Sequence, residues 1–111
     1  MKISELDENK VADVLTYLAT TDDAYALAKA QLESTEILRK RVRARAFLSN
    51  EDGSVAERNA EAEVADDTQA ADDAYIKALG DFEAIKAKRQ RGELLIEVWR
   101  SLESTRRRGM V

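Results

Sequence analysis

Not one of the 111 residues is proline, where average usage of about 5% would supply about five or six. Proline is the strongest helix interrupter, because it lacks the amide donor and its ring clashes with the preceding turn. A chain without it is biased towards long helices. Cysteine and histidine are absent as well. That removes disulfides, thiol nucleophiles, the usual zinc ligands and the one side chain that titrates near neutrality unaided. With 44% apolar residues and 36% charged ones, the length suits a single domain with a modest core.

Val11, Val14, Leu15, Leu18, Tyr25 and Leu32 recur at spacings of three, four or seven, which is helical periodicity. Leu38, Val42 and Phe47 continue the stripe but drift round the helix, as expected if the packing is not a strict heptad seam or the partner changes along it. Ser49-Asn50-Glu51-Asp52-Gly53-Ser54 then gathers turn formers. Gly53 can take a positive φ, Ser54 is placed as an N-cap, and Glu57 completes a capping box. From Val55 the pattern is helical again to about Arg106, which as one rod would be close to ~80 Å long.

The expected fold is therefore all-α: a long antiparallel helical hairpin, coiled-coil-like, completed by oligomerisation. Its single domain, residues 1–111, is helical over about 4–48, turns at 49–54, is helical over about 54–106 and ends in a frayed basic tail at 107–111. Thr20-Thr21-Asp22-Asp23 carries the signal of a new helix start, so the first segment can be two helices. Residues 4–19 could then fold back as a third helix of a monomeric bundle. Gly80 and Gly92 mark bends or close packing, since each disfavours a helix by about 1 kcal/mol relative to alanine.

The chain also echoes itself. Asp22-Asp23-Ala24-Tyr25 recurs as Asp72-Asp73-Ala74-Tyr75, and at the same offset Ala28, Glu33, Arg39 and Arg41 recur as Ala78, Glu83, Arg89 and Arg91. Two related helices would explain this, although alanine-rich charged helices also share composition easily.

Charge is strongly segregated: −5 over residues 1–37, +5 over 38–48, −9 over 49–85 and +5 over 86–111. Folding back at Gly53 sets residues whose numbers total about 103 opposite each other. Arg39, Arg41, Arg43 and Arg45 then face Glu57, Glu61, Glu63 and Asp66, while Lys88, Arg89 and Arg91 face Asp13 and Glu8. Flanking pairs of this kind fix an antiparallel register rather than add much stability. Arg106, Arg107 and Arg108 have no acidic block opposite them. If the basic residues are exposed instead, Arg39, Arg41, Arg43, Arg89, Arg91 and Arg106 to Arg108 are candidate contacts to nucleic acid or an acidic partner.

Tyr25, Tyr75 and Phe82 are in phase with the apolar stripe and read as core. Leu94, Leu95, Val98, Trp99 and Leu102 spread more widely round the helix than one partner covers. They form a candidate partner or oligomer face, and a dimer is expected. The acidic pairs and the Glu57, Glu61, Glu63 cluster are the only groups rich enough in carboxylates for a divalent ion. Glu63 with Asp66 imitates half of the paired acidic motif of helical nucleotide pyrophosphohydrolases, but the other half is missing. Di-iron bundles need histidine, and no phosphate loop or nucleophile motif is present. No enzyme, cofactor or metal is expected. MKISELDENK does not read as a secretion signal and Leu94-Leu95-Ile96 is far too short to cross a bilayer, so a soluble cytoplasmic protein is expected, with no membrane contact.

Gly53-Ser54-Val55-Ala56-Glu57-Arg58, Lys86-Ala87-Lys88-Arg89 and Glu93-Leu94-Leu95-Ile96-Glu97-Val98-Trp99-Arg100-Ser101 resemble segments of small helical accessory proteins of tailed bacteriophages. The resemblance covers chiefly residues 53–106. Such proteins are often encoded near recombination and other DNA-metabolism genes. It implies a non-enzymatic accessory role through helical protein contacts, assisting recombination or replication. The residues leave two alternatives open: weak direct nucleic-acid binding, and inhibition of a host enzyme or defence in which the −9 block imitates a phosphate backbone.

Overall fold

A computed structural model describes residues 6–109. They form four helices and no strand: α1 (Glu8–Thr20), α2 (Asp22–Ser49), α3 (Val55–Val64) and α4 (Asp66–Gly109). The class is all-α and hairpin-like. Ser4 and Glu5, expected in the first helix, lie outside the described residues, as do Met110 and Val111 of the tail. Arg107 and Arg108, expected to be frayed, are in the last turn of α4.

Each helix start has a local cause. Asp7 caps α1 by accepting from the Lys10 amide at 2.9 Å. The Ser54 hydroxyl oxygen accepts from the Glu57 amide at 3.2 Å, the N-cap half of the expected capping box, while the Glu57 carboxylate accepts from the Ser54 hydroxyl at 3.3 Å. Gly53 takes φ 96°, a conformation open to glycine and strained for a side chain. The expected single helix over 54–106 is interrupted: Ala65 is extended at φ −59°, ψ 140°. Its interruption carried no glycine or proline, and α4 restarts at once because Asp66 and Asp67 suit a helix N-terminus.

The chain's contacts fall into two compact units, one joining residues up to Tyr25 with those from Ala84 onward, the other Ala26–Glu83. In the first, α1 runs antiparallel to the C-terminal half of α4. A Cβ on Gly92 would lie 3.2 Å from Val14 Cγ1, and the Lys88 ammonium sits 4.5 Å from the centre of the Tyr17 ring. In the second, α2 runs antiparallel to α3 and the start of α4. Arg43 pairs with Glu63, and Arg58 donates to the Phe47 carbonyl at 3.2 Å. The residue numbers of these close pairs total two or three more than the turn arithmetic predicts. The slip leaves Arg43–Glu63 intact but moves Arg89 away from Asp13.

The covered positions correct the expectation of a drifting stripe. Val11, Val14, Leu18, Thr21, Tyr25, Ala28, Leu32, Thr35, Arg39, Val42 and Ala46 are all at least half-buried. So are Thr68, Ala71, Tyr75, Ala78, Phe82, Ile85, Arg89, Gly92, Ile96 and Trp99. Both series alternate steps of three and four, a heptad seam. Leu38, which suggested the drift, is exposed, and so is Leu15, which belonged to the expected stripe. The seam was hidden because threonine, alanine, glycine and arginine occupy positions where apolar letters were sought. It is also thin: the buried apolar side chains among the described residues are Ala62, Ala71, Ala78 and Phe82.

Candidate functional site

The densest polar arrangement lies at the break between α1 and α2. Thr21 leaves the helical region at φ −109°, ψ 5°, so carbonyls of the last turn of α1 lose their intrahelical partners. The threonines expected to start a helix end one as well. Thr20 Oγ1 donates to the Thr16 carbonyl and Thr21 Oγ1 to that of Tyr17, each at 2.7 Å. Arg89 completes the set from α4. Its Nη1 donates to the Leu18 carbonyl at 3.0 Å and to Thr21 Oγ1 at 2.6 Å, and its Nη2 donates to Asp22 Oδ1 at 2.6 Å. The guanidinium also lies 5.2 Å from the centre of the Tyr25 ring, within the range of a cation–π contact. The Arg89 side chain is only 15% exposed.

Arg89 therefore closes one helix end, holds the first acidic residue of the next and stacks on the aromatic ring one turn further on. This joins α1 to α2 across a one-residue break. The described part of α1 packs along the C-terminal half of α4. Its heptad positions continue into α2 without a change of phase.

The echo of fifty residues has a counterpart in these contacts. Arg39 on α2 lies 4.3 Å from the centre of the Tyr75 ring on α4, whereas Arg89 on α4 covers Tyr25 on α2. Each unit thus carries the same arginine–tyrosine pair with the two helices exchanged, and the two pairs have the same numerical total. The signal was readable: Asp-Asp-Ala-Tyr and the arginine fourteen residues later are both repeated, and an antiparallel fold crosses the copies. Tyr25 and Tyr75 do sit on the seam, each beside an arginine.

The remaining candidates separate by environment. Arg39 and Arg89 are half-buried, and Arg43 is bound to Glu63. Arg41, Arg91, Arg107 and Arg108 are exposed, and exposed Arg106 pairs with Glu103 at 2.9 Å. Arg91 edges a depression of about 460 Å³ with Lys10, Asp13 and Lys88. Of the apolar face, Leu94 and Leu102 are exposed, while Leu95, Val98 and Trp99 are half-buried. Trp99 belongs to the seam. Among the described residues, no three acidic side chains converge as a metal site would. No described helix is long and apolar enough to cross a membrane.

A second arginine that sequence reasoning missed works at the hairpin turn. Arg58 donates to the Phe47 carbonyl near the end of α2 and lies 4.2 Å from the centre of the Phe47 ring. The pattern matches Arg89: an arginine of the facing helix satisfies a helix C-terminus and stacks on a nearby ring. No protein-family model, curated protein or solved structure matches this chain.

Proposed function

We propose that the chain is a non-enzymatic binding protein acting through helical protein–protein contacts, with the C-terminal part of α4 as its partner face. The observation that carries this reading is the division of apolar side chains along that segment. Ile96 and Trp99 serve the seam, whereas Leu94, Leu95, Val98 and Leu102 fall within about 100° of one another at 100° per residue, beside it. Leu94 and Leu102 are exposed there, which is the pattern of an i, i+4, i+8 helical anchor. The resemblance of residues 53–106 to phage accessory proteins suggests the setting: a cytoplasmic role assisting recombination or replication proteins.

Direct nucleic-acid binding is the weaker reading, because Arg39, Arg43 and Arg89 are engaged within the chain. Arg41, Arg91, Arg107 and Arg108 remain exposed, and a few phosphate contacts give affinities of about 10⁻⁴ to 10⁻⁶ M. The test is affinity capture from infected cells beside Leu94→Glu and Leu102→Glu, with DNA titrations in parallel. The proposal expects a captured protein that both variants lose. Sub-micromolar DNA binding with no such protein would make the nucleic-acid reading the better one.

A further inference from the structure

On the side of α2 away from its seam lies a second apolar stripe. Leu27 and Leu48 are 70% and 69% exposed, and Ile37 and Leu38 are 50% and 49% exposed. At 100° per residue the four fall within an arc of about 100°, centred roughly 140° from the seam. A depression of about 460 Å³ edged by Glu33, Ile37, Leu38 and Arg41 opens in the middle of the stripe, over Ala30 and Ser34.

We propose that this face of α2 binds the same face of a second copy of the chain, with the two α2 helices antiparallel about a twofold axis between residues 37 and 38. That axis sets Ile37 against Leu38 of the second copy and Leu27 against its Leu48, so every large apolar side chain of the stripe meets another. The small Ser34, one turn before Ile37, leaves room beside the incoming Leu38. Charge selects the orientation. Before the axis α2 carries Glu33 and Glu36 against Lys29, and beyond it stand the exposed Arg41 and Arg45. Antiparallel pairing sets acidic half on basic half, and parallel pairing would set like on like.

The proposal does not rest on the α4 partner face, which belongs to another helix segment.

The test uses the full chain in light scattering at micromolar concentrations. A dimer is expected, with Leu38→Glu and Leu27→Glu each raising its dissociation constant about tenfold or more while helical circular dichroism is unchanged. A chain that stays monomeric near 100 µM overturns the proposal, as does a dimer that survives both substitutions or is lost only with Leu94→Glu. Orientation is read by oxidation, since no native cysteine interferes. Leu27→Cys mixed with Leu48→Cys is expected to cross-link, and Leu27→Cys alone is not. Efficient cross-linking of Leu27→Cys with itself overturns the antiparallel arrangement.

Discussion

Arg89 and Arg39 are the same residue of a repeated pattern placed in two different surroundings. Both cover a tyrosine of the facing helix, at 5.2 and 4.3 Å. Arg89 adds three hydrogen bonds, because the break at Thr21 exposes a carbonyl, a hydroxyl and a helix-starting carboxylate beside it. Tyr75 sits in the uninterrupted interior of α4, where backbone carbonyls are already spent on the helix, so Arg39 has a ring beside it rather than an open helix end. Repetition of the sequence thus fixes where an arginine stands on the seam, and the local backbone decides how much it holds together.

The largest expected effect comes from removing that difference. Arg89→Met keeps the apolar length but leaves the Leu18 carbonyl and Asp22 without their charged donor. Hydrogen bonds to charged groups contribute about 1.5–3 kcal/mol and a partly desolvated cation–π contact about 1 kcal/mol, so a loss of ~2–3 kcal/mol is expected. Arg39→Met should lose less than about 1 kcal/mol, the ring contact alone. Thermal melts would show the first as a drop of more than about 10 °C and the second as a few degrees. Equal shifts would mean that the bonds at the break contribute nothing.

A smaller effect of opposite sign is expected at Thr68. It occupies the seam position fifty residues after Leu18, is 3% exposed, and its hydroxyl has no hydrogen-bond partner. Thr35 differs, since its buried hydroxyl donates to the helix at 2.9 Å. An unsatisfied buried hydroxyl costs about 1–3 kcal/mol, and valine matches threonine in shape and in helix propensity. Thr68→Val should therefore raise the melting temperature by several degrees, whereas Thr35→Val should not. A lower melting temperature for Thr68→Val would show that the hydroxyl has a partner in solution.

How much of this was legible follows from what each residue type reveals by its letter. The absence of proline and the Gly53-Ser54-Glu57 grouping announced long helices and the turn between them, because turn and capping chemistry is local. The break at Thr21 was signalled by Thr20-Thr21-Asp22-Asp23, but not its anchoring, which depends on an arginine sixty-eight residues away. The break at Ala65 had no breaker residue to show it. The seam itself was obscured by reading hydrophobicity: Ala28, Thr35, Arg39 and Gly92 are covered because of where they stand, while Leu27 and Leu38 are exposed for the same reason. The charge arithmetic set the block Arg39 to Arg45 beside Glu57, Glu61, Glu63 and Asp66, and Arg43 does pair with Glu63; Arg89 was not set against Asp22, because the register slips and a long side chain reaches further along the helix than the arithmetic allows.

The register of the antiparallel seam underlies both arginine–tyrosine pairs, and disulfide mapping tests it most directly. A Cβ on Gly92 would lie 3.2 Å from Val14 Cγ1, close to disulfide geometry once both residues carry sulfur. Val11 stands one helical turn away, about 5 Å along the axis, where the turn arithmetic alone would have placed the partner. Val14→Cys/Gly92→Cys should oxidise rapidly within one chain, leaving the mass unchanged on a non-reducing gel, and Val11→Cys/Gly92→Cys should oxidise slowly or not at all. Faster closure of the Val11 pair, or a Val14 pair that links only separate chains in dilute solution, would contradict the seam described here.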